Sequence, residues 1–125
     1  MELALWEQMQ TLDHVTIGRS GVSEARSRAL HVEPAFAHGS IESYFVGTEF
    51  AHLHGDGSGS MHLTLPRQRA MEAVSKGWGE PHPVVHMGFG HPTWLMIYGP
   101  RDEDDLVVTA QLLRESHEFA LGIAQ

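Results

Sequence analysis

The sequence predicts an α+β fold, with a single antiparallel β-sheet of about four to five strands packed by about three helices. Apolar residues recur at helical spacing near both ends of the chain, whereas short strand-like segments separated by glycine-rich turns occupy the middle. The 125 residues, 42% of them apolar, suffice for one hydrophobic core. We therefore expect one domain over residues 1–125.

The first third of the chain begins with a predicted helix over residues 2–13. Its apolar positions are Leu3, Trp6, Met9 and Leu12, which lie on one helical face. Residues 14–33 give mixed signals and predict a strand only near 29–32.

The middle of the chain predicts a strand meander. Residues 40–46 read as a strand, and Gly47-Thr48 suits a two-residue type II′ turn because glycine comes first. Strands are expected at 49–54 and 60–65, joined by the loop 55–59. A helix should begin after Pro66 and end at Gly77.

The last third contains a long Gly- and Pro-rich loop at 77–92, a strand at 93–99 and a final helix. Asp102, followed by Asp105, predicts the N-terminal cap of that helix, whose first turn is acidic. Its inward face should carry five residues: Leu106, Ala110, Leu113, His117 and Ala120.

Composition argues against several classes of function. The formal net charge is −8 and the chain has only eight lysines and arginines, so we expect no nucleic-acid partner. No apolar run is long enough to span a membrane, and the acidic N-terminus does not resemble a secretory signal. The chain also has no cysteine. These observations predict a soluble, cytoplasmic protein.

Three of the ten histidines lie in "EFAHLHGDGSGSMHLTLP", residues 49–66. His52 and His54 share a strand face, and a 55–59 loop would pair position 52 with 62, placing their Cβ atoms about 4.5–5.5 Å apart. His52, His54 and His62 would then form one cluster. Three interpretations remain open: a solvated structural cluster, a metal site, and general acid–base chemistry.

The preceding turn extends this pattern to the strand at 40–46. It would pair 45 with 50, 43 with 52 and 41 with 54, so that Ser43 adjoins the histidines. The next row would hold Phe45, Phe50 and Thr64 as part of a ligand pocket. Glu42 and Glu49 fall on the core side of this register, so no carboxylate is expected beside the histidines.

Five other residues are candidates for the same pocket. His82 and His91 each precede a proline in the long loop and could close over the sheet, although exposed loop histidines are the simpler interpretation. Trp78 could stack on a ligand or anchor the loop to the core. Tyr98 could reach the pocket or pack in the core. Arg101 could bind an anionic substrate or only face solvent.

Four motifs in order, "EFAHLHGDGSGSMHLTLP", "GWGEPHP", "YGPRDEDDL" and "LLRESHEFA", resemble the small luciferase-domain family, which contains fungal luciferases and short bacterial proteins. The resemblance implies an O₂-dependent enzyme without an organic cofactor. Fungal members oxidise a hydroxylated α-pyrone through a peroxide intermediate that loses CO₂ and leaves an excited keto acid. Fungal members resemble proteins with an apolar N-terminal anchor, and we expect none here, so the chain looks similar to the short bacterial-type members.

The resemblance places the general base among His52, His54 and His62. It also makes His82, in the second motif, a further candidate catalytic residue. Our leading hypothesis is a cofactor-independent oxygenase acting with O₂ on an enolisable hydroxypyrone or related aromatic small molecule. Substrate-binding residues would be Ser43, Phe45, Phe50, Thr64, Trp78, His91, Tyr98 and Arg101. The alternative is a noncatalytic domain that binds a metal or small ligand through His52, His54 and His62.

Overall fold

The computed structural model describes residues 2–19, 21 and 28–123, and it confirms the α+β class. Within these residues, one antiparallel sheet of six strands is packed by four helices. The strands are β1 (Val15–Arg19), β2 (Arg28–Val32), β3 (Glu49–Leu53), β4 (Met61–Thr64), β5 (Gly79–Pro81) and β6 (Trp94–Ile97). The helices are α1 (Glu2–Met9), α2 (Arg67–Ser75), α3 (Pro83–His86) and α4 (Glu103–Leu121).

The strands lie in the order β1-β2-β3-β4-β6-β5. Helix α1 is shorter than predicted. Of its predicted inward face, Met9 is buried and Trp6 and Leu12 pack against the core, whereas Leu3 is 67% exposed and Leu5 is buried instead. The ambiguous stretch 14–33 supplies two paired strands, β1 and β2, and most of their connection lies outside the described residues.

The predicted strand at 40–46 is wrong. Residues Ile41–Ser43 form a 3-10 turn, in which Ser43 Oγ donates a hydrogen bond to the carbonyl of Ser40 at 2.6 Å. Such a local side-chain bond offers the backbone an alternative to a strand ladder. Only an isolated bridge, Val46 to Glu49, remains across the Gly47-Thr48 turn. Strand β2 instead takes the place beside β3.

The β3–β4 hairpin follows its predicted register. His52 pairs with His62, Ala51 with Leu63 and Leu53 with Met61. Five apolar residues of the predicted core side are 0–1% exposed and belong to the hydrophobic core, namely Ala51, Leu53, Met61, Leu63 and Leu65. The opposite face of the hairpin is therefore the one that carries the histidines.

A β-bulge interrupts the ladder between β2 and β3. Leu30 pairs with Ala51 but His31 pairs with Glu49, which leaves Phe50 as the extra residue. A bulge breaks the strict alternation of side chains and re-aims them. Phe50 consequently packs in the core, with its ring 5.8 Å from that of His117, while the Glu49 side chain reaches the histidine face.

The long 77–92 segment is more regular than predicted, because it contains β5 and the short helix α3. Helix α4 begins as predicted, since Asp102 accepts a hydrogen bond from the Asp105 amide at 2.8 Å. It ends at Gly122, whose φ of 82° is the left-handed conformation that glycine favours. Among the described residues, no helix has the length and apolarity required to cross a bilayer.

Candidate functional site: a buried histidine pocket

The β3–β4 hairpin brings together His52, His54 and His62, which we call the histidine triad. The ring of His62 lies 4.7 Å from that of His52 and 4.5 Å from that of His54, measured between centroids. The rings of His52 and His54 are 5.8 Å apart. The triad is sheltered, because His52 is fully buried and the other two are half-buried.

His52 is held by a buried carboxylate. Its Nδ1 lies 2.8 Å from Oε2 of Glu49, and both side chains are inaccessible to solvent. Because a carboxylate accepts hydrogen bonds, Nδ1 carries the proton and Nε2 of the neutral ring has a lone pair. That Nε2 is buried and has no hydrogen-bond partner among the described residues. Glu49 is fixed in turn by the backbone amide of Gly21, which donates to Oε1 at 2.8 Å.

His62 stays uncharged in this pocket. Burial, and next the neighbouring rings of His52, His82 and His54, lower its pKa to about 2. Its Nδ1 is also buried and finds no hydrogen-bond partner in the part of the chain that is described. His54 is anchored by Ser60, with Nδ1 2.9 Å from the serine Oγ. The triad therefore presents buried ring nitrogens within a small volume.

His82 joins the triad from the long 77–92 segment, as predicted. Its ring centroid lies 4.1 Å from that of His62. It caps helix α3, since Nδ1 accepts a hydrogen bond from the Val84 amide at 3.2 Å. The proton of the neutral ring must then be on Nε2. Burial, together with His52 and His54, lowers the pKa of His82.

Two aromatic rings border the pocket. Phe45, predicted for this position, has its ring centroid 5.6 Å from His52, 5.8 Å from His82 and 5.1 Å from Trp94. Trp94 was not predicted, although a signal existed. Leu95 and Ile97 of β6 are buried in the core, so alternation sends Trp94 and Met96 to the other face.

Four predicted pocket residues lie elsewhere. Ser43 was placed by the wrong 40–46 pairing, since Ala29 and not Ser43 is the second neighbour of His52. Phe50 was placed by regular alternation along its own strand, which the bulge breaks, and it lies in the core. The Thr64 hydroxyl is occupied by the carbonyl of Ser43, to which it donates at 2.8 Å. His91 is 5.7 Å from Trp94 by ring centroids and faces Glu42 rather than the triad.

Three more predicted residues, Trp78, Tyr98 and Arg101, line a separate cavity of about 250 Å³ whose lining contains no histidine. Arg101 Nε donates to Asp105 Oδ2 at 2.8 Å, and the Tyr98 hydroxyl donates to Glu80 at 3.1 Å. Both polar groups thus have partners within the protein.

Glu49 is the main residue that sequence reasoning missed. Regular alternation assigns it to the opposite face from His52, because the two residues are three apart on one strand. Only the bulge at Phe50 reverses this assignment, and it depends on pairing with β2. No sequence pattern near residue 49 predicts the pairing of β2 with β3.

Comparisons with known proteins support the resemblance seen in the sequence. Residues 47–116 match the family model of the luciferase domain. A luciferase from Armillaria gallica is 43% identical over 70 residues, which make up 54% of this chain and 26% of that protein. Luciferases from Armillaria ostoyae and Neonothopanus nambi are 41% and 37% identical over segments of the same length.

The chain matches only about a quarter of the length of these relatives. No solved structure matches it. The matched segment nevertheless contains the whole triad, together with Glu49, His82 and Trp94.

Proposed function

The chain belongs to the luciferase domain family, and we propose that it catalyses a luciferase-like oxidation in the histidine pocket. In this proposal O₂ is the co-substrate and no organic cofactor takes part. The organic substrate is a small enolisable hydroxypyrone or a related aromatic compound. The family match covers the triad, Glu49, His82 and Trp94, and the fungal relatives that the chain matches are luciferases; both findings support the assignment of chemistry to these residues.

One observation carries the proposal, namely the buried Glu49–His52 pair within the matched segment. A carboxylate bound to one imidazole nitrogen fixes the tautomer and stabilises the imidazolium that forms when the other nitrogen takes a proton. His52 Nε2 would therefore be the proton acceptor. Its burial suits the role, since a water-poor site strengthens such electrostatic support.

The proposed reaction begins when the enolic O–H bond of the substrate breaks and its proton passes to His52 Nε2. The enolate then supplies the electrons for a carbon–oxygen bond to O₂, which yields a peroxide anion. The imidazolium returns its proton to this anion, so the step adds one O₂ to the substrate without an external reductant. The Nε2–H of His82 is a hydrogen-bond donor suited to an oxygen on which negative charge develops.

The rings around the triad suit a flat, conjugated substrate. Phe45 and Trp94 provide aromatic surface beside His82, and aromatic rings prefer stacked or edge-to-face contacts with one another. A hydroxypyrone would place its ring against this surface and its hydroxyl toward His52. Pockets that bind small molecules typically combine apolar walls with a few polar groups that orient the ligand, and this arrangement has both.

The test is O₂ consumption with a panel of hydroxylated α-pyrones by the wild type and by His52→Gln. We expect the variant to lose about 100-fold or more in turnover, because general base catalysis typically contributes roughly 10²–10⁴-fold. His86→Gln, at an exposed position on α3, is the matched control and should retain wild-type turnover. Equal rates for wild type and His52→Gln would remove the proton-acceptor role. A wild type that consumes no O₂ with any member of the panel would contradict the activity itself.

A further inference from the structure

We propose that the histidine triad also binds one divalent first-row transition metal ion, through one ring nitrogen from each of His52, His54 and His62. One nitrogen from each ring lies within 4.8 Å of the others. Bound zinc has nitrogens at about 2.0–2.1 Å, which places ligand atoms of a tetrahedral site roughly 3.4 Å apart. Small ring rotations would close that difference.

Two buried nitrogens in the triad point to an occupant. His52 Nε2 and His62 Nδ1 are both buried, and neither has a hydrogen-bond partner among the described residues. Buried polar atoms without partners are uncommon in native proteins, and each requires an explanation. Two of them on neighbouring rings 4.7 Å apart are explained together by a single cation that accepts both lone pairs.

The surroundings of the triad resemble the second layer of a metal site. Histidine ligands usually donate their other nitrogen's proton to a carboxylate or a similar acceptor, which orients the ring and makes it a better ligand. Glu49 is this acceptor for His52 Nδ1, and its negative charge would offset part of the charge of the ion. Ser60 lies at the corresponding distance from His54 Nδ1.

The donor set selects the class of ion. Imidazole nitrogens suit Zn²⁺, Co²⁺, Fe²⁺, Ni²⁺ and Cu²⁺, whereas Mg²⁺ and Ca²⁺ prefer oxygen ligands. Three protein ligands leave at least one position of a tetrahedral ion for water or a small ligand. His82 is not a ligand in this arrangement, because its Nδ1 accepts from Val84 and its Nε2 bears the proton.

Metal binding and the proposed oxidation use the same atom. An ion bound at His52 Nε2 occupies the lone pair that would take the substrate proton, so the metal-bound form should be inactive in that reaction. The metal proposal itself does not rest on the proposed function, because binding is measured without any substrate.

The experiment is a titration of protein purified without an affinity tag, using Co²⁺ followed by visible absorption and Zn²⁺ followed by calorimetry. We expect one equivalent of each ion to bind and the visible spectrum to be that of Co²⁺ with nitrogen ligands. His52→Ala, His54→Ala and His62→Ala should each weaken binding at least tenfold, whereas His86→Ala should bind like the wild type. Circular dichroism would establish that each variant is folded.

Folded wild type without saturable Co²⁺ or Zn²⁺ binding would overturn the metal proposal. So would an equal loss of affinity in His86→Ala and the triad variants, since binding would then be a general property of surface histidines. Conservative His62→Gln guards against a variant that fails to fold, and it should also lose the Co²⁺ spectrum.

Turnover measured with and without one equivalent of Zn²⁺ separates the two proposals. Activity of the metal-free protein that is inhibited by Zn²⁺ and restored by a chelator supports both. Activity that requires a bound ion would leave the site in place and overturn the role of His52 as proton acceptor. Metal-free activity in a protein that binds neither ion would overturn the metal proposal alone.

Discussion

At the scale of single residues, the function proposed for this chain depends on Glu49, the buried hydrogen-bond partner of His52. Its two carboxylate oxygens have different tasks, because Oε1 accepts from the Gly21 amide and Oε2 faces His52 Nδ1. The first contact holds the carboxylate in place and the second selects the His52 tautomer. A side chain of the same shape but without charge should therefore affect chemistry more than folding.

We predict that Glu49→Gln lowers kcat by roughly 10²–10⁴-fold while KM changes little. A glutamine amide can donate to His52 Nδ1, which would move the ring proton to Nε2 and remove the acceptor lone pair. The measurement is steady-state O₂ consumption across pH, and the profile of the variant should differ in shape from that of the wild type.

Glu42→Gln is the matched control, since Glu42 is a half-buried glutamate that pairs with Arg67 outside the triad. It should keep wild-type kcat and pH profile. If Glu49→Gln retained the kcat and pH profile of the wild type, Glu49 would have no role in positioning His52.

At the scale of secondary-structure elements, the pocket depends on a hairpin and a capped segment. The β3–β4 hairpin supplies the triad, and its loop length alone sets His52 opposite His62. His82 is the N-cap of helix α3. Because its Nδ1 accepts the hydrogen bond of the Val84 amide there, the proton of the neutral ring is on Nε2, which can act as a donor. Helix α4 packs against β3 and β4 on the core face of the hairpin, opposite the face that carries the triad.

We predict that Asp102→Ala lowers the free energy of unfolding by about 1 kcal/mol, with a range of roughly 0.5–2 kcal/mol for N-cap removal. The reason is the lost hydrogen bond from the Asp105 amide to the Asp102 side chain. The measurement is chemical denaturation at neutral pH. Asp104→Ala, in the same acidic first turn, is the control. It should lower the free energy of unfolding by only about 0.3 kcal/mol, through the interaction of its charge with the helix dipole. Equal losses in both variants would show that charge rather than capping matters at this helix end.

At the scale of the whole molecule, the part of the chain outside the family match completes the site. The match begins at residue 47, yet β2 pairs with β3, and Leu5, Met9 and Leu30 belong to the hydrophobic core. Gly21, also outside the match, binds Glu49. A single domain over residues 1–125, a cytoplasmic location and the absence of a nucleic-acid partner stay predictions.

We predict that part of the stability of the molecule is lost in acid through Asp105. Its hydrogen bond with the Arg101 side chain lowers the pKa of Asp105 below the usual value near 3.8. A carboxyl group whose pKa is lower in the folded state stabilises the fold above its unfolded pKa, and this contribution disappears as pH falls through the folded pKa. The Tm difference between wild type and Asp105→Asn should therefore be largest near pH 7 and shrink below about pH 4. A difference that stays constant from pH 7 to pH 3 would show that the charge of Asp105 does not contribute.

Local periodicity explains which parts of the site could be predicted from sequence. Alternation along a strand and the five-residue loop 55–59 set three histidines on one face, and both are properties of adjacent residues. The same alternation assigned Ala51, Leu53 and Leu63 to the core, where they are. Asp102 marked the start of α4 in the same local way, by the chemistry of an N-cap.

The amino-acid sequence by itself determined the α+β class, the β3–β4 register and the common face of His52, His54 and His62, because each follows from spacing along the chain. Only the tertiary structure decided that β2 rather than residues 40–46 lies beside β3, and hence that a bulge sends Phe50 to the core and Glu49 to His52. Strand neighbours are chosen by pairing between distant segments, and a one-residue shift in that pairing reverses which face a side chain occupies.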